Sequence, residues 1–267
     1  MHTHQALILA AGFGKRLMPF TQTKPKCMLS FQGKTLLDWQ TEAMAACGIT
    51  DITVVAGHGA ASIPAKYPKI INARYETTNM VYSLFCGHAQ WKQQADLIIS
   101  YGDIVYEEKV LAQLLADEAP ISLIFDRQWR TLWSARMNNP LDDVETFVRR
   151  PDGTVLSLGQ KPRTETEVQG QYIGLIKVRA DRLESFVQAY EHLKQTENSQ
   201  QNRIENLYMT DFIQHLIDTG WLVNGVGIDG GWLEFDTVSD LETYQMLAQN
   251  GQLSELMAWD NAYVPTV

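Results

Sequence analysis

Ala6-Leu7-Ile8-Leu9-Ala10-Ala11-Gly12-Phe13-Gly14-Lys15-Arg16-Leu17 begins as an unbroken apolar run, breaks on two glycines one residue apart, and continues with two adjacent cations. A short continuous apolar run ended by a turn signal fits a strand buried on both faces, as in a parallel sheet. Glycines let backbone N–H groups approach phosphate oxygens without a Cβ in the way, and Lys15 and Arg16 add charge-assisted bonds, so the turn favours a polyphosphate ligand. The spacing is not that of a Walker loop, and the dinucleotide pattern Gly-x-Gly-x-x-Gly fails at Leu17. Taken alone, the two glycines also fit a plain strand-to-helix turn.

Working outward, residues 36–47 carry apolar side chains at helical spacing with Gly48 placed to end the helix, and residues 52–56 read as the next strand, which makes a βαβ unit. Further strands are expected at 70–73, 96–100 and 120–125, with Thr77-Thr78-Asn79 capping a helix through Met80, Leu84 and Phe85, and another helix at 107–116. This alternation predicts a parallel sheet covered by helices. From about residue 127 to about 180 the pattern changes to strands with turn signals, at 145–149, 155–158 around Pro151-Asp152-Gly153, and 171–178, which reads as a β-rich insertion. A helix at 181–194, a polar loop at 195–203, a helix capped by Thr210-Asp211, a strand at 222–228 and a last helix from near Ser239 complete the chain. No repeat or linker divides residues 1–267, so one domain is expected.

Composition excludes several classes. The 267 residues carry 22 Lys+Arg against 31 Asp+Glu, a net charge of −9, and lack the basic footprint that nucleic acid requires. With 45% hydrophobic and 20% charged residues, the chain can bury a large core. No apolar run approaches the roughly 18–20 residues of a membrane span, and no leader pattern precedes the first strand, so no membrane partner and a cytoplasmic protein are expected. Cys27, Cys47 and Cys86 have neither zinc nor disulfide spacing and read as ordinary thiols. Nor do the six histidines show ligand spacing: His2 and His4 read as exposed, and His58 as a loop residue.

What narrows the glycine turn is its sequel, Lys24-Pro25-Lys26-Cys27-Met28-Leu29. Leu-Ala-Ala-Gly-x-Gly-x-Arg-Leu, then a Thr, then Pro-Lys, within residues 7–29, resembles the opening of the sugar-phosphate and alcohol-phosphate nucleotidyltransferases, the MobA-like group. The resemblance implies a Rossmann-like three-layer α/β/α fold with a mixed, mostly parallel sheet. It also implies transfer of a nucleotide from a nucleoside triphosphate to a phosphorylated small molecule with loss of pyrophosphate. On that reading Leu9, Ala10, Ala11, Gly12, Gly14, Lys15, Arg16 and Gly102 hold the nucleotide, Arg16 and Lys26 act at the reacting phosphates, and Asp103 and Asp236 share a Mg²⁺ ion, with Glu234 a second candidate. The chemistry agrees, because such transfers need positioning and charge neutralisation more than covalent help.

Tyr75-Glu76-Thr77-Thr78-Asn79-Met80-Val81-Tyr82-Ser83-Leu84 is similar to the cytidylyltransferase branch acting on phosphocholine and aminoethylphosphonate, which makes Asn79, Tyr82 and Ser83 candidates for base or ribose contacts. The bland alternative, a capped helix with Met80, Leu84 and Phe85 in the core, is compatible with it. Residues 99–106, 132–136, 139–146, 171–175 and 206–210 further resemble members of this branch that use phosphoglutamine. The implied partners are CTP and a small phosphorylated or phosphonate zwitterion, and the product is a precursor for surface-polysaccharide or phosphonate decoration; a homodimer is left open. A zwitterion needs an anion for its amine and a cation for its phosphate, and Trp faces also take a quaternary ammonium. Asp126, Arg127, Trp129, Trp133 and Arg136 are therefore expected at the acceptor, with Lys161 and Glu234 beside them, although packing explains the two tryptophans equally well. Asp142, Asp143 and Glu145 read as a solvated turn ahead of a charged pocket lip. The alternative activity is that of a sugar-1-phosphate uridylyl- or thymidylyltransferase using the same loop and metal.

Overall fold

A computed structural model describes residues 3–196 and 201–258. Strand β1 (Thr3–Ala10) buries both faces: Ala6, Ile8 and Ala10 enter one hydrophobic layer and Leu7 the other. The glycine loop follows, then a small hairpin of β2 (Ser30–Phe31) and β3 (Lys34–Thr35), and helix α1 (Leu36–Ala46). Thr35 starts α1 with a capping box, its hydroxyl accepting from Asp38 N at 3.0 Å, and Gly48, at φ 79°, lets the chain turn away from the helix.

The chain continues through β4 (Ile52–Ala56), β5 (Lys69–Ile71), α2 (Met80–Phe85), β6 (Ala95–Tyr101), β7 (Ile104–Tyr106), α3 (Glu108–Ala116) and β8 (Ile121–Asp126). Next come α4 (Trp129–Arg136), β9 (Phe147–Arg149), β10 (Val155–Leu158), β11 (Gln171–Val178), α5 (Leu183–Thr196) and α6 (Gln201–Glu205). Helix α7 (Met209–Asp218), β12 (Val223–Ile228), β13 (Trp232–Glu234) and α8 (Val238–Gln249) close it. The main sheet has the order β12-β8-β11-β6-β1-β4-β5; β11 pairs antiparallel with both neighbours and every other pairing is parallel. Buried residues of α1, α3, α4 and α8 pack on one face of the sheet, and those of α2, α5, α6 and α7 on the other, giving three layers.

The structure corrects four element readings. The stretch after residue 127 opens with a helix, α4, because Trp129, Leu132 and Trp133 form one buried stripe at helical spacing. Within the expected insertion, β9 and β10 make a separate hairpin, but β11 is a central strand of the main sheet. Tyr208, not Thr210-Asp211, precedes α7, and both latter residues lie in its first turn. The expected loop at 195–203 contains the end of α5 and the start of α6; residues 197–200 lie outside the described residues, as does His2.

Topology places the site. The carboxyl ends of β1 and β6 lie side by side at the edge of the parallel strands, where open α/β sheets bind ligands. Beyond β6 the chain turns at Gly102-Asp103 into β7, which pairs antiparallel with β13, Glu234 opposite Ile104. Phe235 N donates to Asp103 O at 2.8 Å, so residues far apart in sequence meet at this turn.

Candidate active site

A cleft of about 340 Å³ opens over the glycine loop, within the size range of small-ligand sites. Its floor is Leu9, Ala10, Ala11, Gly12, Gly14 and Gly102, with Lys15 and Arg16 at the loop end. Gly14 is required twice over: its φ is +60°, and a Cβ there would stand 2.8 Å from Lys26 Cγ. Its carbonyl accepts from Thr21 Oγ1 at 2.8 Å and Leu17 N at 2.9 Å, which sets the loop. By contrast a Cβ at Gly12 would meet no atom within 4 Å. His58 buttresses the loop from outside, its backbone N–H donating to Ala11 O at 3.0 Å and Nε2 to Thr21 O at 2.7 Å.

The charged centre joins Lys26, Asp103, Asp236 and Arg16. Lys26 Nζ donates to Asp103 Oδ2 at 2.6 Å and to Asp236 Oδ1 at 2.5 Å, while Arg16 Nη2 donates to Asp236 Oδ2 at 2.5 Å. Burial opposes the Lys26 charge, but Asp103 and Asp236 outweigh it and hold the ammonium well above its ordinary value. Burial likewise opposes the Asp236 charge, and Lys26 together with Arg16 and Arg136 brings its carboxyl below the usual range. Next to Lys26, Cys27 is buried and its thiol is pushed up to about 12, which suits an inert thiol. Two carboxylates from separate segments thus converge on one cation position, and an oxygen donor set of this kind fits Mg²⁺, which takes one or two carboxylates and fills the rest with water and phosphate oxygens.

Two residues that the sequence did not single out arrange this centre. Gln40, on α1 and fully buried, donates Nε2 to Tyr101 O at 3.0 Å and Ile104 O at 2.8 Å, and accepts from Ser100 Oγ at 2.7 Å. It clasps the turn that carries Gly102 and Asp103. Gly102 lets that turn lie against β1, since a Cβ there would stand 2.7 Å from Leu9 O. Asn72, also buried, donates to Thr78 Oγ1 at 3.0 Å and Ser83 Oγ at 2.9 Å, organising the start of α2 beside the cleft. Gln40 lies in a helix of ordinary pattern and Asn72 at a strand end, so only long-range contacts reveal their roles.

On the α2 side, Asn79 and Ser83 line the cleft with Tyr75, Thr78, Met80 and Tyr101, four lining residues that had not been put forward as site residues. Asn79 also caps α2, its Oδ1 accepting from Met80 N at 2.8 Å, so the capping and cleft readings hold together. Tyr82 is a correction. It points away from this cleft, with the Arg74 guanidinium 5.4 Å from its ring, because it stands two residues, about 200° of helix, beyond the cleft-lining Met80.

The expected acceptor group is also corrected. Asp126 is 1% exposed and accepts from Gln128 N, Gly230 N and Trp232 Nε1, which makes it a fastener of the β13 entry. Trp129 and Trp133 are buried in the core, Trp133 with its ring 5.9 Å from Trp232. Arg136 is buried in ion pairs with Glu234 and Asp240, and Glu234 turns to Arg136 while Asp236 turns to Lys26. Strand β13 ends at Glu234, so the two acids do not share one strand face as their alternation suggests. Arg127 pairs with Asp229 on the surface, and Lys161 is exposed in the loop after β10, outside the cleft lining. An apolar or charged residue type near the sheet edge does not reveal which way the backbone aims it. In the acidic cluster, Asp142 and Asp143 are exposed but Glu145 is partly buried, and burial, then Asp143 and Asp211, raises its carboxyl.

The profile of the MobA-like NTP transferase domain matches residues 6–146. A CTP:phosphoglutamine cytidylyltransferase of Campylobacter jejuni subsp. jejuni serotype O:2 is 38% identical over 247 residues, spanning 89% of this chain and 97% of that one. Among solved structures, an inositol-1-phosphate CTP transferase from T. maritima superposes with a TM-score of 0.71 at 19% identity, covering 97% of this chain and 99% of its own. A CTP:phosphocholine cytidylyltransferase from Streptococcus pneumoniae gives 0.70 at 19% identity, covering 92% and 99%. The glycine loop, its lysine and the sheet-edge aspartate all lie within the matched region, and the chain belongs to the MobA-like NTP transferase family of nucleotidyltransferases.

Proposed function

We propose that this nucleotidyltransferase is a Mg²⁺-dependent cytidylyltransferase that moves CMP from CTP to a small phosphorylated or phosphonate zwitterion, releasing pyrophosphate. The observation that carries the reaction is the convergence of Lys26, Arg16, Asp103 and Asp236 at the mouth of the glycine loop. The choice of CTP, and of acceptors such as phosphoglutamine, phosphocholine or aminoethylphosphonate, is supported by the 38% identical phosphoglutamine enzyme.

The loop N–H groups with Lys15 and Arg16 bind the polyphosphate; Arg16, 63% exposed at its side chain, pairs with Asp236 through Nη2 and offers its remaining donors to the β- and γ-phosphates. An acceptor phosphate or phosphonate oxygen forms the new bond to the α-phosphorus as the bond to the bridging oxygen breaks, and the electron pair leaves with pyrophosphate toward Lys15 and Arg16. Lys26 places its charge where the transferring phosphoryl oxygens gain charge. Asp103 and Asp236 would hold Mg²⁺, which supplies further neutralisation of the phosphates. The attacking oxygen is already anionic near neutral pH, so no general base and no covalent enzyme intermediate is needed.

Pyrophosphate release tests the reading, with CTP, UTP, ATP, GTP and dTTP each offered with phosphocholine, aminoethylphosphonate, phosphoglutamine and glucose-1-phosphate. Release is expected with CTP and one of the three zwitterions, lost on chelation and restored by Mg²⁺. Release only from UTP or dTTP with the sugar phosphate would identify the sugar-nucleotide alternative instead.

A further inference from the structure

Arg136 has a fully buried guanidinium that touches neither the cleft nor solvent, its side chain only 1% exposed. Nη1 donates to Glu234 Oε2 at 2.5 Å, Nε to Asp240 Oδ1 at 3.0 Å and Nη2 to Asp240 Oδ2 at 3.3 Å. Asp240 is the third residue of α8 and forms a capping box with Thr237, which ordinarily occupies such a carboxylate with one backbone N–H. Here Oδ2 accepts two, from Thr237 N at 2.8 Å and Asp236 N at 2.9 Å. The chain of bonds thus runs from Arg136 through Asp240 to the peptide of the aspartate that meets Lys26 and Arg16. Trp133, one turn earlier on α4, lies under the guanidinium at 4.8 Å and packs on Trp232 of β13, so α4 is keyed to the strand that leads into Asp236.

We propose that Arg136 is a positioning residue: acting through Asp240, it fixes the Asp236 backbone so that the Asp236 carboxylate faces Lys26 and Arg16. The proposal rests on the role given to Asp236 under the proposed function. Asp236 stands between the end of β13 and the start of α8, where neither a strand ladder nor a helix bond holds its N–H, and Asp240 supplies the missing acceptor. The planar fork reaches Asp240 through Nε and Nη2 and Glu234 through Nη1, a fixed spread of donors that the single ammonium of a lysine at this position does not reproduce. Displacement of a reacting group by about 1 Å is enough to cost roughly 10²-fold in rate.

Two variants test this. In Asp240→Asn the amide oxygen still accepts from the two N–H groups while its NH₂ faces the guanidinium, which keeps the cap and severs the clamp; Arg136→Lys severs it from the other side. Both are expected to fold, to lower kcat at least about thirtyfold with KM for CTP within about threefold of the parent, and to be non-additive when combined. Hydrogen exchange at the Asp236 and Thr237 amides should accelerate in both, a readout that needs no turnover. A folded variant with kcat near the parent value, an equal loss in KM, or multiplicative losses in the double variant overturns the proposal. Failure of both variants to fold also overturns it, leaving an ion pair that only stabilises; if Arg136→Lys alone fails, Asp240→Asn decides. Absence of turnover in the parent protein refutes the proposed function, whereas unchanged exchange in the variants refutes the clamp alone.

Discussion

Lys26 is the residue on which the site's charges balance. Removing its ammonium leaves Asp103 and Asp236 facing each other with Arg16 as the remaining partner on one side. Lys26→Ala is expected to lower kcat about 10²–10³-fold, the range for losing one preorganised charge donor, while CTP affinity changes only a few-fold because the glycine loop is untouched. Single-turnover kinetics alongside equilibrium CTP binding separates the two effects. The glycines give a second contrast. Gly14→Ala forces a side chain into a left-handed backbone and onto Lys26, at a cost of about 1–2 kcal/mol before any relaxation, and should lower both the melting temperature and CTP binding. Gly12→Ala meets no protein atom, so it should leave the melting temperature within about a degree and weaken CTP binding alone. Calorimetric melting and CTP titration of the pair read this directly; equal melting temperatures would contradict the strain assigned to Gly14.

At the scale of elements, the site depends on how two turns are held. Helix α1 presents Gln40 to the turn carrying Asp103, and Gln40→Leu takes the amide donor from the Tyr101 and Ile104 carbonyls and the amide acceptor from the Ser100 hydroxyl. A loss of about 1–3 kcal/mol of stability is expected for each group left without its partner, so denaturant unfolding should show a clear fall. Thr35→Ala at the start of the same helix removes the capping box and should cost about 1 kcal/mol, with kcat unchanged because the cap touches no cleft residue. A fall in kcat beyond the fraction unfolded would mean that α1 shifts as a body. Helix α4 shows why sequence pattern misled at 127–136. A two-turn helix offers only one short apolar stripe, and its tryptophans look like ligand-binding faces until their burial against β13 is seen.

For the molecule as a whole, the pH response follows from the same charges. Asp236 titrates below the roughly 3.9 of an unfolded aspartate, so its stabilisation is complete above about pH 4 and disappears as pH falls through its folded value. Lys26 is raised, so its contribution is complete below about 10.4 and lost only at higher pH. The melting-temperature difference between the parent and Asp236→Asn should therefore shrink as pH falls below about 4; a difference that holds or grows there would contradict this assignment.

Much was legible in linear order. The apolar strand, the Gly12–Gly14 turn and Pro25-Lys26 lie within a short stretch, and strand and helix periodicity are local, so the layered α/β fold and the glycine loop after β1 follow from neighbouring residues alone. Asp103 could be placed because it follows a parallel strand. Arg136, Gln40, Asn72, Asp126 and the outward-facing Tyr82 could not, since their meaning lies in partners brought near by folding: Arg136 and Asp240 are 104 residues apart, and Gln40 and Ile104 are 64 apart. Which charged or aromatic side chain enters the cleft and which is fastened behind it depends on backbone direction at the sheet edge and on long-range hydrogen bonds, and neither is encoded in local spacing.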